Sequence, residues 1–197
     1  MKKNTLNLAL LIFTPLFGQV MINEYSASNL SWYTDNYQME EDWIELYNAG
    51  STDEDIGGYF LSDDSDEPAK WIIPGGTVIP VDGYLVFWCS GRDEYSDNNY
   101  HTNFKLKQTK NNPDHVVLSD PYGYIIDDFE IQKTQLNHSM GRSPNGTDTW
   151  NIFTDPTLGN ENSEPSYTAY AEAPLMSLEA GFHNGIQDLE ISTNDSN

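Results

Sequence analysis

Basic residues are scarce in this chain, and the shortage excludes two classes of partner. Nine lysines and arginines stand against 31 aspartates and glutamates, so the net charge is −22. Nucleic acids are bound chiefly through Lys and Arg that neutralise phosphates, so we expect no nucleic-acid partner. An anionic membrane surface is disfavoured for the same reason. Solubility in a salty exterior accounts for the charge, and binding of divalent cations by some acidic loops is the alternative.

Cysteine is almost absent, since Cys89 is the single one and lies within an apolar run. An intramolecular disulfide is therefore impossible, and the fold depends on its apolar core. We expect Cys89 to be a small buried hydrophobic side chain rather than a reactive thiol. Zinc is poorly supported, because the sequence has no pair of His or Cys residues at the usual ligand spacing.

No apolar run is long enough to cross a membrane as a stable anchor. The longest, Leu6–Phe17, follows Lys2 and Lys3 and precedes Gly18 and Gln19. A short positive region, an apolar region and then small residues are typical of a secretory signal peptide. The sequence therefore predicts a signal peptide at 1–19 and a protein that is secreted or held at the cell surface. No membrane insertion is expected after cleavage.

Sustained helical periodicity is also missing, whereas Gly, Pro, Asn and Asp interrupt the chain at short intervals. This pattern predicts an all-β sandwich or barrel with few helices. The expected strands are Val20–Tyr25, Trp43–Asn48, Tyr59–Ser62, Lys70–Ile73, Tyr84–Ser90, Asn103–Leu106, His115–Ser119, Tyr124–Glu130 and Trp150–Phe153. We expect the apolar run Tyr84–Cys89 to form a central strand with both faces covered. In the second strand, Ile44 and Leu46 should face the core and Glu45 the other side.

The alternation of strand and turn patterns ends after Pro156, and the polar run 160–165 predicts a linker. Beyond it, Leu175, Phe182, Ile186 and Leu189 indicate two further strands, too few to bury a core of their own. We expect one domain over residues 20–162, with 163–197 forming a linker and the incomplete start of a second β domain.

Ordered motifs along the chain resemble those of the lamin tail domain, in the form found in secreted bacterial proteins. They are Ile22-Asn23-Glu24, Ala27-Ser28-Asn29, Asp42–Asn48, Gly58–Asp64, Ile79–Val86, His101–Leu106, Leu118–Pro121, Gly141–Gly146, Trp150–Phe153, Pro156–Gly159 and Asn162. The resemblance covers roughly residues 21–162 and implies an immunoglobulin-like β-sandwich without catalytic residues. It also implies an accessory module for surface attachment or ligand binding, joined to a secreted hydrolase, nuclease or spore-coat-kinase-like domain.

The chain departs from this family pattern in two places. Lys107–Pro113 lacks the glycine that usually follows the Asn-Phe-Lys-Leu segment. No heptad rod precedes the domain, so we expect no filament assembly of the nuclear-lamin kind. The short segment Ala173–Ser177, with Gly181 and Phe182, is similar to the opening of a chitobiase C-terminal-like β domain.

Catalytic chemistry has little support in the sequence. No Gly-x-Ser-x-Gly motif is present, and His101, His115, His138 and His183 are scattered through predicted strands and turns. We expect each of the four histidines to be an ordinary surface or half-buried residue. His138 and Ser139 are neighbours, but adjacent residues of a strand point to opposite faces and would not meet. We therefore expect no catalytic residues and no enzyme activity.

Two groups of residues are candidates for binding. Two acidic turns, at 53–55 and 63–67, supply the hard oxygen ligands that calcium prefers, although neither forms an EF-hand loop. The candidate ligands are Asp53, Asp55, Asp63, Asp64 and Asp66. Solvated acidic loops are the alternative, and we expect no other metal or cofactor. Trp32, Tyr33 and Tyr37 form an aromatic insertion that would stack on sugar rings or, alternatively, pack against the rim of the sandwich.

The sequence thus predicts a secreted, non-catalytic binding or anchoring module, an accessory domain of a larger exported protein. Its expected partner is an extracellular or cell-surface protein or polysaccharide. The alternative is a fragment of a secreted enzyme, a hydrolase or spore-coat-kinase-like protein, in which this domain only positions the catalytic part.

Overall fold

All regular secondary structure in the described residues is β. The computed structural model describes residues 20–163 and 165–193, and the predicted signal peptide at 1–19 lies outside them. The strands are β1 (Val20–Ser26), β2 (Trp43–Asn48), β3 (Glu54–Asp55), β4 (Phe60–Ser62), β5 (Trp71–Ile72), β6 (Val78–Ile79), β7 (Tyr84–Trp88), β8 (Glu94–Ser96), β9 (Asn99–His101), β10 (His115–Ser119), β11 (Ile125–Glu130), β12 (Ser139–Arg142), β13 (Trp150–Phe153), β14 (Leu175–Met176) and β15 (Ile191–Ser192). No helix in the described part of the chain has the length and apolar character needed to cross a membrane.

Two sheets pack face to face and form an immunoglobulin-like β-sandwich, as the sequence predicts. The larger sheet has seven strands in the order β13-β12-β1-β2-β7-β9-β8. The smaller has four, in the order β11-β10-β4-β5. Neighbouring strands are antiparallel apart from β7 and β9, which run parallel. Two short ribbons, β3-β6 and β14-β15, lie outside these sheets.

Alternating side chains of the two sheets build one core. Ile44 and Leu46 of β2 are fully buried in it, as the alternation predicts, and they meet Leu61 and Leu118 of the smaller sheet within one apolar cluster. Glu45 points to the opposite face, yet it too is fully buried. Long loops cover that outer face, so it is not the wet surface that an alternating strand usually presents.

A β-bulge in β1 sets which of its side chains reach the outer face. The pairing of β1 with β2 shifts between Ile22 and Glu24, and Asn23 is the extra residue. An extra residue of this kind re-aims the side chains that follow it. As a result Glu24 lies directly across from Glu45, and Tyr25 returns to the core beside Ile44.

An ion pair joins the two sheets at one end of the sandwich. The Arg142 Nη2 atom lies 2.8 and 2.9 Å from the two carboxylate oxygens of Asp127 on β11. Arg142 Nε also donates to the Ile22 carbonyl oxygen at 2.7 Å. Beside this pair the rings of Phe129 and Trp150 stack at 4.1 Å. Charged and aromatic side chains therefore cover this end of the core.

The strand predictions need several corrections. Asn103–Leu106 is not a strand, because the Thr102 hydroxyl donates to the Phe104 carbonyl and turns the chain locally. Five short strands were not predicted from the sequence: β3, β6, β8, β9 and β12. β7 is central, between β2 and β9, but Tyr84, Leu85 and Val86 are only half-buried rather than covered on both faces.

The beginning of the C-terminal segment contacts the sandwich, and the rest of its described residues are exposed. Tyr167 pairs with Ile152 of β13, and the Tyr170 hydroxyl lies 2.9 Å from Nδ1 of His138. Past Tyr170, β14 and β15 form the expected two strands, and the apolar side chains there are exposed: Leu175, Met176, Phe182, Ile186, Leu189 and Ile191. A second β domain beginning in this segment stays a prediction.

Candidate binding surface

The loop between β1 and β2, residues 27–42, carries the aromatic candidates and is closed by one asparagine. The Asn29 side chain donates to the carbonyl oxygens of Tyr33 at 2.7 Å and of Glu41 at 2.9 Å. Its own carbonyl oxygen accepts the Tyr33 N–H. Asp42 at the end of the loop accepts the Asn29 N–H, and burial raises the pKa of Asp42 to about 6. The two ends of the loop are therefore tied together.

A second anchor fixes the tip of the loop on Arg92, which follows β7, and on His101 of β9. The buried carboxylate of Asp35 accepts the N–H groups of Tyr37 at 2.8 Å and Met39 at 3.0 Å. Its other oxygen lies 2.9 Å from Arg92 Nη1, and Arg92 also pairs with Glu41 at 3.3 Å. A carboxylate that accepts main-chain N–H groups and pairs with a guanidinium rigidifies the turn around it.

His101 joins this anchor from beneath and is fully buried, which corrects the expectation of a surface or half-buried residue. Its Nε2 atom lies 2.8 Å from the Asn36 side-chain oxygen, and its Nδ1 atom lies 3.0 Å from Ser90 Oγ. An amide oxygen can only accept, so Nε2 carries the proton and the Ser90 hydroxyl donates to Nδ1. Burial lowers the pKa of His101 and favours this neutral form.

The contact between Ser90 and His101 has the connectivity of a nucleophile, a base and an orienting amide. The sequence does not predict this contact, because Asn36 lies 65 residues from His101 and joins it only in the fold. A nucleophile must reach its substrate, yet Ser90 is 6% exposed and the His101 ring is closed to solvent. The Ser90 oxygen also accepts the Arg92 N–H. The arrangement therefore holds the loop and is not open for catalysis.

The three aromatic candidates have different surroundings. Tyr33 is a packing residue, because its hydroxyl donates to the Pro156 carbonyl at 2.6 Å and its ring meets Trp43 edge-on. Tyr37 is 46% exposed, but Arg92 covers one ring face at 4.7 Å and its hydroxyl bonds Glu94. Trp32 is 47% exposed and touches Tyr33 from outside. Packing against the rim therefore describes Tyr33, whereas stacking of Trp32 and Tyr37 on sugar rings stays a prediction.

Leu30 and Met39 are exposed on the same loop as Trp32 and Tyr37. We call these four residues the loop surface. All four side chains are exposed although buried polar groups hold the main chain of the loop in place.

The five aspartates proposed for calcium divide between two places. Asp53 accepts the Val81 N–H at 3.0 Å, and Asp55 accepts the Gly57 N–H at 2.9 Å. The other three, Asp63, Asp64 and Asp66, line a polar cavity of about 420 Å³.

Within that cavity Asp63 is already paired with Lys70 at 2.5 Å. Asp114 lies there too, and burial raises the pKa of its carboxyl group. Across residues 20–163 and 165–193, no three His, Cys, Asp or Glu side chains are grouped so as to hold a metal ion. Calcium binding stays a prediction of the sequence.

Glu24 and Glu45 lie within the motifs shared with the family, but the sequence assigned neither residue a role in a site. The Glu24 carboxylate accepts from the Ser139 and Thr157 hydroxyls at 2.5 and 2.7 Å, and from the Thr157 N–H. Glu45 accepts the Gly159 N–H at 2.5 Å. Burial raises the pKa of both carboxyl groups, and the charge of Glu24 adds to the rise at Glu45. The pair holds the loop after β13 across the outer face of the sheet.

A cleft of about 720 Å³ opens at the first residues of β1, Val20 and Met21, beside the ion pair of Arg142 and Asp127. Its walls come from the beginning of β1, the loop after β2, β11, and the turn between β12 and β13. Val20, Met21 and Ile126 supply apolar surface there. Sequence reasoning had no means of finding this cleft, since its walls come from four separate parts of the chain.

The sandwich and its ordered motifs agree with a comparison against known families. The model of the Lamin Tail Domain matches residues 15–133, which is more than half of the chain. No curated protein matches the chain closely enough to serve as a relative. The chain therefore belongs to the lamin tail domain family, whose members are immunoglobulin-like modules.

Proposed function

We propose that this chain is a non-catalytic, exported binding or anchoring module that attaches a larger protein to an extracellular or cell-surface polysaccharide or protein. Membership of a family of immunoglobulin-like modules supports a role without chemistry of its own. The signal-peptide pattern at 1–19 supports export. The net charge of −22 supports partners other than nucleic acids and anionic membranes.

The observation that carries the proposal is the half-exposed indole of Trp32 on an anchored loop. Asn29 and Asp35 fix the main chain on both sides of it, so the ring is presented without a large loss of conformational freedom on binding. Tryptophan is among the residues that most often dominate binding energy. An exposed ring of this kind suits a sugar face, which offers apolar C–H groups surrounded by hydroxyls.

Binding of the full chain to insoluble chitin, cellulose and peptidoglycan tests the proposal. We expect at least one of these to retain the chain, and Trp32→Ala to weaken that binding by roughly tenfold or more. Tyr122→Ala is the matched control, because Tyr122 is 86% exposed on a turn of the other sheet. Equal loss in both variants, or no retention by any of the three, would contradict a role for the loop surface.

A second candidate function is to position the catalytic part of a secreted enzyme. The exposed apolar side chains of the segment around β14 and β15 favour it, because a further domain packed there would bury them. The polysaccharide experiment distinguishes the two. Retention by one of the three polysaccharides supports attachment by the chain itself, whereas a folded chain that none of them retains supports positioning alone.

A further inference from the structure

β11 is the longest edge strand in the described part of the chain. It has six residues, whereas β5 at the other edge of the same sheet has two. At the edges of the larger sheet, β8 has three residues and β13 is partly covered by Tyr167. Proteins usually shorten or cover an edge strand, because its free N–H and C=O groups pair readily with another chain. β11 is neither short nor covered in this way.

The main-chain groups of β11 alternate between its neighbour and open space. The Ile131 N–H donates to the Asp114 carbonyl at 2.8 Å, which marks a hydrogen-bonded position of the ladder with β10. Antiparallel positions alternate, so Glu130 and Asp128 stand at non-bonded positions of that ladder. Their N–H and C=O groups point away from the sheet. Of these, the Glu130 carbonyl accepts the Gln132 side chain at 3.1 Å.

The side chains of β11 define what an added strand would meet. Asp128 and Glu130 are exposed on the outer face of the sheet. Asp127 and Phe129 face inward, towards Arg142 and the core. Residues of an added strand would alternate in the same way, since cross-strand neighbours share a face. Asp128 bonds His115 Nδ1 at 2.7 Å, and Lys or Arg placed beside Asp128 and Glu130 would add positive charge to this acidic face.

Room for the inward-facing residues of an added strand exists at the start of β11. The cleft of about 720 Å³ lies there, with Ile126, Val20, Met21 and Ala49 on its walls. An apolar side chain placed in it would leave water and contact these residues. The edge of β11 thus offers hydrogen bonds and negative charge, and the cleft offers apolar contact.

We propose that β11 binds an extended segment of a partner protein by strand addition, and that this segment alternates Lys or Arg with apolar residues. The main-chain hydrogen bonds supply affinity and the alternating side chains supply specificity. A second copy of this chain is disfavoured as the occupant, because its net charge of −22 would be repelled by the acidic edge. The site is separate from the loop surface.

Fluorescence anisotropy with a labelled peptide of eight alternating Lys and Val residues tests the proposal on the full chain. An alternating Glu-Val peptide controls for charge. A Lys-Val peptide with alternate N–H groups methylated keeps the charge but loses the donors. We expect both references to bind at least tenfold more weakly, and amide exchange over residues 125–131 to slow when the first peptide binds. Equal binding of the methylated peptide, or no slowing in β11, would overturn strand addition.

Charge variants test the position of the site. Asp128→Lys with Glu130→Lys is expected to weaken binding of the Lys-Val peptide at least tenfold. The control, Asp188→Lys with Glu190→Lys, makes the same change in net charge at two exposed residues of the C-terminal segment and is expected to leave binding within twofold. An equal loss in both would mean attraction by overall charge alone. Trp32→Ala is expected to leave binding of the Lys-Val peptide unchanged. A negative result in the polysaccharide experiment therefore does not decide whether β11 binds a partner strand.

Discussion

The carboxylates of Glu24 and Glu45 are neighbours across two antiparallel strands, and both bind the loop that follows β13. Neither is exposed to solvent. Two buried carboxylates in such proximity disfavour each other's ionisation, and burial disfavours it further. The folded chain therefore takes up protons here that the unfolded chain would release.

Stability is expected to depend on pH through this pair. Because the folded pKa of Glu45 is raised well above the usual 4.5, its contribution is fully present below pH 4.5 and is lost as pH rises towards the folded pKa. Glu45→Gln removes the titrating group, so the free energy of unfolding should fall less steeply with pH. The difference in slope should be up to about 1.4 kcal/mol per pH unit.

Urea unfolding at intervals from pH 4.5 to 8 measures these slopes. Glu67→Gln is the control, because Glu67 is an exposed carboxylate on the turn after β4. It should reproduce the wild-type slope. If Glu45→Gln also reproduces it, the pair does not take up protons on folding.

Close packing around Gly141 is expected to exclude even a methyl group. A Cβ atom there would lie 2.6 Å from Asn162 Nδ2 and 3.0 Å from the Phe153 ring. Asn162 bonds the carbonyl oxygens of Asn23 and Arg142, so it has little freedom to withdraw. Gly141→Ala should lower the free energy of unfolding by about 1–3 kcal/mol.

Gly75→Ala provides the comparison, since no atom lies within 4 Å of the added methyl group. It should change the free energy by less than about 0.5 kcal/mol. Thermal or urea unfolding measures both variants. Similar values for the two would mean that the loop containing Asn162 moves aside without cost.

The ion pair between the sheets is expected to contribute through its burial. Asp127→Asn leaves the Arg142 guanidinium with only 7% of its side chain exposed and without its bidentate partner. Removing one member of a buried pair typically costs about 3–5 kcal/mol. Asp148 also lies near Arg142, at 3.4 Å, but its side chain is fully exposed, so Asp148→Asn should have little effect. Urea unfolding of both variants decides this, and equal small effects would contradict the prediction.

Local chemistry was enough to predict several elements. β2, β10 and β13 have the bounds expected from the sequence, because apolar alternation and flanking turn residues specify a strand without reference to the rest of the chain. The order of motifs likewise pointed to the lamin tail family. β12 was missed, since it contains Gly141 and no β-branched residue. It is a strand because its neighbours, β1 and β13, supply partners on both sides.

The sequence by itself determined the fold class, the family and the face of β2 that enters the core, because each depends on periodicity and turns that are local in the chain. Only the tertiary structure decided which polar residues are buried and which meet. Glu45 is covered by a loop 114 residues away, and Arg142 bonds a carbonyl 120 residues away. Such contacts follow from the closing of the sandwich, in which burial and hydrogen bonding of distant segments are settled together.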